Sequence, residues 1–181
     1  MNIKRAIAKV RPPRALKLLS HPDPRLAQKS VDVDLSCEEE LAELDQLIAD
    51  LISTMRKEKG AGLAAIQAGI PKRVFVYDAG GKEGSEAALI NPIIVSLSEE
   101  VLEDEEGCLS FPALYAQVKR SKTVVVEGYN QDKEKISITA EDFLARVFQH
   151  EIDHLDGVTF IEHLSEDDRK LALREYFDLR S

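Results

Sequence analysis

Hydrophobic residues recur every three or four positions between residues 41 and 55, and this spacing predicts an amphipathic helix that ends before Gly60. The repeating residues are Leu41, Leu44, Leu47, Ile48, Leu51, Ile52 and Met55. Just before them, Ser36 and Glu39 have the spacing of a capping box, which predicts the start of the helix. The apolar stripe is expected to pack in the core and implies no cofactor.

From Arg73 onward the pattern changes to short runs rich in β-branched and aromatic residues, which are typical of strands. The predicted strands are residues 74–78, 89–98, 115–121, 123–129 and 135–139. Their short connections favour antiparallel pairing, because a parallel pair needs a longer crossover.

Two further helices are predicted near the C-terminus. One is expected to be capped by Thr139 and to end at Gly157, and an amphipathic segment follows Ser165. With no repeat or linker in evidence, residues 1–181 are predicted to form a single α+β domain, with an N-terminal arm at 1–20 and a C-terminal helix at 165–181.

The first of these helices carries the sequence QHEIDHLDG at residues 149–157. His150 and His154 lie one turn apart and about 40° around the helix, so their imidazoles can converge on one ion. Glu151 falls in the middle of the apolar face, where a carboxylate costs several kcal/mol unless something there needs it. A water molecule activated by a metal ion would account for the carboxylate, because the carboxylate could accept its proton. HExxH combines two nitrogen ligands with a general base in this way, although such short matches also arise by chance.

A catalytic metal site of this kind needs a third protein ligand. The acids downstream are Glu162, Glu166 and Glu175, which are expected to face solvent. Upstream, Cys108 lies in the stretch EGCLS at 106–110, where Gly107 allows close approach of the backbone. A thiolate is a strong, soft ligand, so the predicted set is Cys108, His150 and His154. The fold prediction is therefore antiparallel sheets packed around a central metal-binding HExxH helix.

Charge and composition narrow the possible partners and compartments. The net charge of -9 argues against nucleic-acid or anionic-membrane binding, and no apolar run is long enough to span a bilayer. Two cysteines, Cys37 and Cys108, cannot form a disulfide framework, which predicts a cytoplasmic protein. The first 22 residues contain bases but no acid, and a surface arm is favoured over a targeting peptide, which is not excluded. Those bases are Lys4, Arg5, Lys9, Arg11, Arg14 and Lys17.

Three stretches together resemble peptide deformylase: GAGLAAIQ at 60–67, EGCLS at 106–110 and QHEIDHLDG at 149–157. The likeness extends from about His21 to Leu164, and Ile66 departs from the residue usual in the family. The resemblance implies hydrolysis of the formyl group from the N-terminal formylmethionine of nascent polypeptides, releasing formate.

The resemblance also implies roles for individual residues. Glu151 is expected to act as the general base, with the side-chain amide of Gln67 and the backbone N–H of Leu109 stabilising the oxyanion. Fe²⁺ is the implied native ion, with Zn²⁺, Ni²⁺ or Co²⁺ able to substitute. The implied substrate-binding residues are Ala61, Gly62, Gly107, Arg120 and Val147.

Several alternatives stay open at this point. A zinc protease would need a downstream ligand, a structural metal module would need a fourth protein ligand such as Cys37, and a degenerate relative would bind formyl peptides without cleaving them. Gly60, Gly62 and Ala65 also imitate a dinucleotide fingerprint, but a predicted helix rather than a strand precedes them. Ribosome docking through the C-terminal segment is in doubt, because that segment is short and mixed in charge.

Overall fold

The computed structural model describes residues 11–80 and 84–180, which form three α-helices, three short 3-10 helices and seven strands. The helices are α1 (Glu38–Glu58), α2 (Asp142–Leu155) and α3 (Glu166–Asp178). The strands are β1 (Gly62–Ala64), β2 (Val74–Asp78), β3 (Glu86–Leu97), β4 (Val101–Cys108), β5 (Phe111–Ser121), β6 (Thr123–Tyr129) and β7 (Lys135–Glu141).

The strands form two antiparallel sheets, which confirms the predicted pairing mode. Five strands pair in the order β1-β2-β3-β6-β7, while β4 and β5 form a separate hairpin. The three-residue strand β1 is therefore an edge of the larger sheet, and its pairing with β2 begins with Gly62 opposite Tyr77. An edge strand keeps one row of backbone groups outside the sheet ladder.

Two helices cover the faces of the larger sheet. Leu51 and Met55 of α1 pack with Val76 on one face, and Phe148 of α2 packs with Phe75 on the other. Helix α2 also contacts β5, so it lies between the larger sheet and the hairpin. A third cluster places α3 against the hairpin. The described residues thus form a single α+β unit, as predicted.

The structure corrects several predicted boundaries. Cys37, and not Ser36, precedes the first turn of α1, and no side chain caps that end. Thr139 lies within β7 and caps nothing, because the pairing of β6 with β7 continues as far as Glu141. Ser165 does cap α3, where its side chain accepts a hydrogen bond from the backbone N–H of Asp168.

The N-terminal segment runs beside α1 where the structure describes it. The backbone N–H of Arg14 donates to Asp50 at 2.9 Å, and that of Leu16 donates to Thr54 at 2.8 Å. Lys4, Arg5 and Lys9 of the predicted arm lie outside the described residues. Among residues 11–80 and 84–180, no helix is long and apolar enough to cross a membrane.

Truncation of Leu51 is expected to destabilise the fold strongly. This side chain is fully buried between α1 and the sheet, so Leu51→Ala should lower the free energy of unfolding by about 2–5 kcal/mol. Leu171, which is 64% exposed on α3, provides a matched leucine, and Leu171→Ala should stay within about 0.5 kcal/mol of wild type. Urea denaturation of both variants checks this, and equal losses would contradict the assignment of the core.

Candidate active site

A cavity of about 500 Å³ opens between β1, the hairpin and α2. Nearly all of the site residues predicted from the sequence line it: Ala61, Gly62, Gln67, Gly107, Cys108, Leu109, Val147, His150 and Glu151. His154 is fully buried behind this wall. Arg120 does not line the cavity, so the structure does not place it where a substrate would lie.

Cys108, His150 and His154 come together although the first two are 42 positions apart in the sequence. Their donor atoms all lie within 4.8 Å of one another, and the Sγ of Cys108 is 3.2 Å from the Nε2 of His154. Cys108 ends β4, while the two histidines stand one turn apart on α2. Because thiolate and imidazole are the donors that transition-metal ions prefer, these residues fit a metal ion.

Glu106 orients His150. The Nδ1 of His150 lies 2.6 Å from the Oε1 of Glu106, inside the protein. Burial opposes ionisation of Glu106, but hydrogen bonds from His150 and Arg120 hold the pKa of its carboxyl well below its usual range. The carboxylate can therefore only accept, so Nδ1 carries the proton. This tautomer leaves the Nε2 of His150 as a ligand atom, which is the usual role of such a carboxylate.

The two histidines respond differently to the same burial. Burial alone would lower the pKa of His150, but its contacts with Cys108 and Glu106 raise the pKa well above the usual value. Burial lowers the pKa of His154 well below the usual value, and the neighbouring His150 adds to this effect. His154 therefore favours the neutral form that a metal ligand must take, whereas His150 would have to release the proton of its Nε2 when an ion binds.

Glu151 is a buried acid at the wall of the cavity. It is 4% exposed, and burial raises the pKa of its carboxyl to about 7, against the opposing effect of His150. Among the described residues, none forms a hydrogen bond with its Oε2. A carboxyl group that ionises near neutral pH and has a free oxygen at a cavity suits proton transfer.

Gly62 makes room for Glu151. A Cβ atom built on Gly62 would lie 2.8 Å from both Cγ and Cδ of Glu151, which is closer than carbon atoms pack. The contact is with the flexible carboxyl end of a side chain, so a methyl group there would displace Glu151 and not the backbone. Glycine at this position therefore sets the place of the acid.

Gly62→Ala is expected to impair catalysis while the protein stays folded. A displacement of about 1 Å in a catalytic group can reduce a rate about 100-fold, so a loss of that order in turnover is expected. Gly80 serves as the control, because a Cβ there meets nothing nearer than 3.8 Å and Gly80→Ala should keep wild-type activity. A fully active and folded Gly62→Ala variant would contradict this role for Gly62.

Gln67 presents its amide to the same cluster. Its Oε1 accepts from the backbone N–H of Ala64 at 2.9 Å, which fixes the orientation of the side chain. Its Nε2 then donates to Ser110 at 3.3 Å and lies 3.5 Å from the Sγ of Cys108. The side chain is 1% exposed, so this donor is held in place beside the donor cluster.

Arg120 lies in a network of ion pairs behind Cys108, His150 and His154. Its guanidinium donates to Glu106 at 2.8 and 3.1 Å and to Asp153 at 2.5 Å. The same nitrogen that meets Asp153 lies 3.1 Å from the Nε2 of His163. The role that these contacts support is therefore to hold Glu106.

Sequence reasoning missed Arg146, Gln149 and Asp153, which face the hairpin from α2. Their spacing relative to His150 is i-4, i-1 and i+3, which is one side of a helix, and this was the available signal. It also missed the aromatic residues at the cavity, among them Tyr115 and Phe143, which are 61% and 64% exposed.

The alternative ligands are not part of this cluster. Glu162 accepts hydrogen bonds from Thr159, and Glu166 pairs with Lys170 on the surface. Cys37 precedes α1, with its Sγ 3.4 Å from Glu39. Within residues 11–80 and 84–180, Cys108, His150 and His154 are the only such group of potential ligands. The cluster therefore contains neither the downstream ligand that a zinc protease would need nor the fourth protein ligand that a structural metal module would need.

An α+β unit with one thiol and two imidazoles beside an acid whose pKa lies near neutrality is typical of metal-dependent hydrolases. Comparison with known proteins narrows this class. The family model described as Polypeptide deformylase matches residues 15–170. The chain belongs to the peptide deformylase family, whose members hydrolyse the formyl group from the N-terminal methionine of nascent polypeptides.

Individual relatives agree with the family assignment. The peptide deformylase of Acidothermus cellulolyticus is 50% identical over 73% of this chain and 71% of its own length. The crystal structure of a Legionella pneumophila peptide deformylase matches with a TM-score of 0.82 at 37% identity, covering 92% of this chain and 95% of that chain. The crystal structure of a class I type b peptide deformylase from Acinetobacter baumannii bound to Met-Ala-Ser matches with a TM-score of 0.76 at 29% identity. The match covers 83% of this chain and 98% of that chain.

Proposed function

We propose that Cys108, His150 and His154 hold one divalent ion, and that residues 1–181 form one catalytic domain around the helix that bears the histidines. The observation that carries this proposal is the convergence of three donor atoms within 4.8 Å beside a buried glutamate. When bound, the ion would lower the pKa of water to near neutrality and polarise the formyl carbonyl.

Glu151 is the proton carrier in this proposal. Its unpaired Oε2 accepts the proton of the attacking water and then delivers it to the nitrogen of the leaving amine. Because burial raises its pKa to about 7, both the ionised and the protonated form are accessible near neutral pH, so the carboxyl group can accept a proton and then release it. One carboxyl group thereby serves as base and then as acid.

The oxyanion that develops on the formyl carbonyl needs donors fixed in advance. The Nε2 of Gln67 supports this role, because its amide is oriented by Ala64 and lies beside Cys108. The backbone N–H of Leu109 is the second proposed donor, on the residue that follows Cys108 at the cavity wall.

The substrate is proposed to bind as an extended peptide along the edge strand β1. Ala61 and Gly62 lie at this edge and Gly107 lies across the cavity, so the backbone of a peptide can approach both sides. Val147 on α2 is a proposed wall of the methionine pocket. The Acinetobacter baumannii relative bound to Met-Ala-Ser supports a methionyl peptide as the occupant.

The proposed native ion is Fe²⁺, with Zn²⁺, Ni²⁺ or Co²⁺ as functional substitutes. A thiolate donates charge to the ion and reduces its Lewis acidity, so turnover should depend on the metal. We also propose a cytoplasmic location, supported by two free cysteines in the described residues, with nascent formylmethionyl peptides as partners. Ribosome contact through α3 would be weak, and neither nucleic acid nor membrane is a proposed partner.

Anaerobic purification followed by elemental analysis and a formate-release assay tests this function. One equivalent of metal per chain and formate release from a formyl-Met peptide are expected. Cleavage of internal peptide bonds without formate release would favour the protease instead. A metal-loaded protein that binds the formyl peptide without releasing formate would indicate the degenerate relative.

A further inference from the structure

Arg146 lies inside the protein on α2, one turn before His150. It is 6% exposed, and its guanidinium bonds to the neighbouring hairpin. Its Nη1 donates to the Oε2 of Glu106 and to the carbonyl of Val118, both at 2.9 Å, and its Nη2 donates to the carbonyl of Leu102 at 3.0 Å. Because Leu102 is in β4 and Val118 is in β5, one guanidinium joins the helix to both strands.

These contacts reach the proposed metal site by two routes. Through the backbone of β4, Arg146 holds the strand that ends at Cys108. Through Glu106, it holds the carboxylate that accepts the proton of His150 Nδ1. The thiol is on strand β4 and the two imidazoles are on helix α2. The distance between the sulfur and the imidazoles therefore depends on how closely the hairpin is fixed to α2.

Arg146 belongs to a polar stripe on the side of α2 that faces the hairpin. Gln149 exchanges hydrogen bonds with the backbone of Ser121 at 2.8 and 3.1 Å, and Asp153 accepts from Arg120. A buried charge that loses its partner is strongly destabilising, so these bonds disfavour any slip of the hairpin along the helix. Arg146 is the member that contacts both strands and the carboxylate together.

We propose that Arg146 is a positioning residue for the metal site, which sets the spacing between the Sγ of Cys108 and the two imidazoles by fixing the hairpin and Glu106 against α2. The inference rests on the proposed function, because it requires these three residues to hold an ion. Although Arg146 borders the cavity, its guanidinium donates to Glu106 and to the backbone of the hairpin, so in this proposal it acts through the ligands.

Titration of the metal-free protein with Co²⁺ tests this role. Absorption from charge transfer between thiolate and cobalt reports both the affinity and the geometry of the sulfur ligand. The variants are Arg146→Met, Arg146→Lys and the matched control Arg73→Met. Arg73 is 8% exposed and donates to the carbonyl of Pro92 at 3.0 Å and to Asp156 at 2.7 Å, so its loss removes the same kinds of contact outside the hairpin.

Arg146→Met is expected to weaken Co²⁺ binding about 10–100-fold and to change the charge-transfer band at saturation. Arg146→Lys, which keeps the charge but not the fork of donors, should recover part of the affinity. Arg73→Met should unfold at a lower temperature yet keep the wild-type affinity and band. If Arg146→Met does not unfold cooperatively, Arg146→Gln takes its place under the same criterion.

Wild-type affinity and band in Arg146→Met, or in Arg146→Gln in its place, would overturn the inference. Equal weakening in Arg73→Met would also overturn it, because the effect would then follow from general stability. Failure of the proposed function gives a different result, since wild type itself would then show no charge-transfer band or release no formate.

Discussion

Replacement of Glu151 by glutamine is expected to reduce formate release about 100- to 10,000-fold while one equivalent of metal stays bound. Glutamine preserves the shape of the side chain but cannot accept the proton. The loss should appear in kcat, because Glu151 acts on the reacting water and not on the peptide. Steady-state kinetics with a formyl-Met peptide, together with metal analysis of the same sample, measures both quantities.

The control for this variant is Glu166→Gln. Glu166 is an exposed acid on α3 whose recorded ion pair is with Lys170, and its change should leave both activity and metal content at wild-type levels. Wild-type turnover in Glu151→Gln would exclude Glu151 as the base. Loss of metal in that variant would assign Glu151 to metal binding instead.

Replacement of Cys108 by serine is expected to remove the metal and the activity together. Serine keeps the size of the side chain but is a much poorer ligand at neutral pH, because its hydroxyl stays protonated. Loss of a group that only supports a ligand costs about 10–100-fold in affinity, so loss of a ligand itself should cost more. Metal content after dialysis and the affinity for added Co²⁺ check this expectation.

Cys37→Ser provides the matched control, since Cys37 is the other cysteine and lies beside α1. It should retain metal and turnover. Full metal content and full activity in Cys108→Ser would remove Cys108 from the site. Loss of metal in Cys37→Ser would revive the structural metal module, in which a fourth protein ligand closes the site.

Regular periodicity predicted much of the fold. The hydrophobic stripe from Leu41 to Met55 lies in helix α1, as expected. The alternating residues of 123–129 form strand β6, because each of these two elements buries one face. Strand β4 was missed because half of its residues are charged and most are exposed, so no hydrophobic alternation marks it. Strand β1 has three residues and takes its form from pairing with β2, which no local pattern shows.

In the proposed site, too, some features could be predicted from the sequence and others depend on the tertiary fold. The spacing of His150 and His154 fixes their separation on any helix, and the apolar face predicted the burial of Glu151. The approach of Cys108 depends on the pairing of β4 with β5, so sequence could supply the residue type but not the distance. The inward-facing positions of Arg146 and Asp153 on α2 were not predicted, since charged residues on a helix usually face solvent.

X-ray absorption spectroscopy of the metal-loaded protein tests the central proposal most directly, because it counts the kinds of atom bound to the ion. We expect one sulfur ligand and two imidazole ligands in wild type, and no sulfur bound to any metal that Cys108→Ser retains. A spectrum of wild type that shows no sulfur bound to the ion, or more than one, would contradict the ligand set of Cys108, His150 and His154.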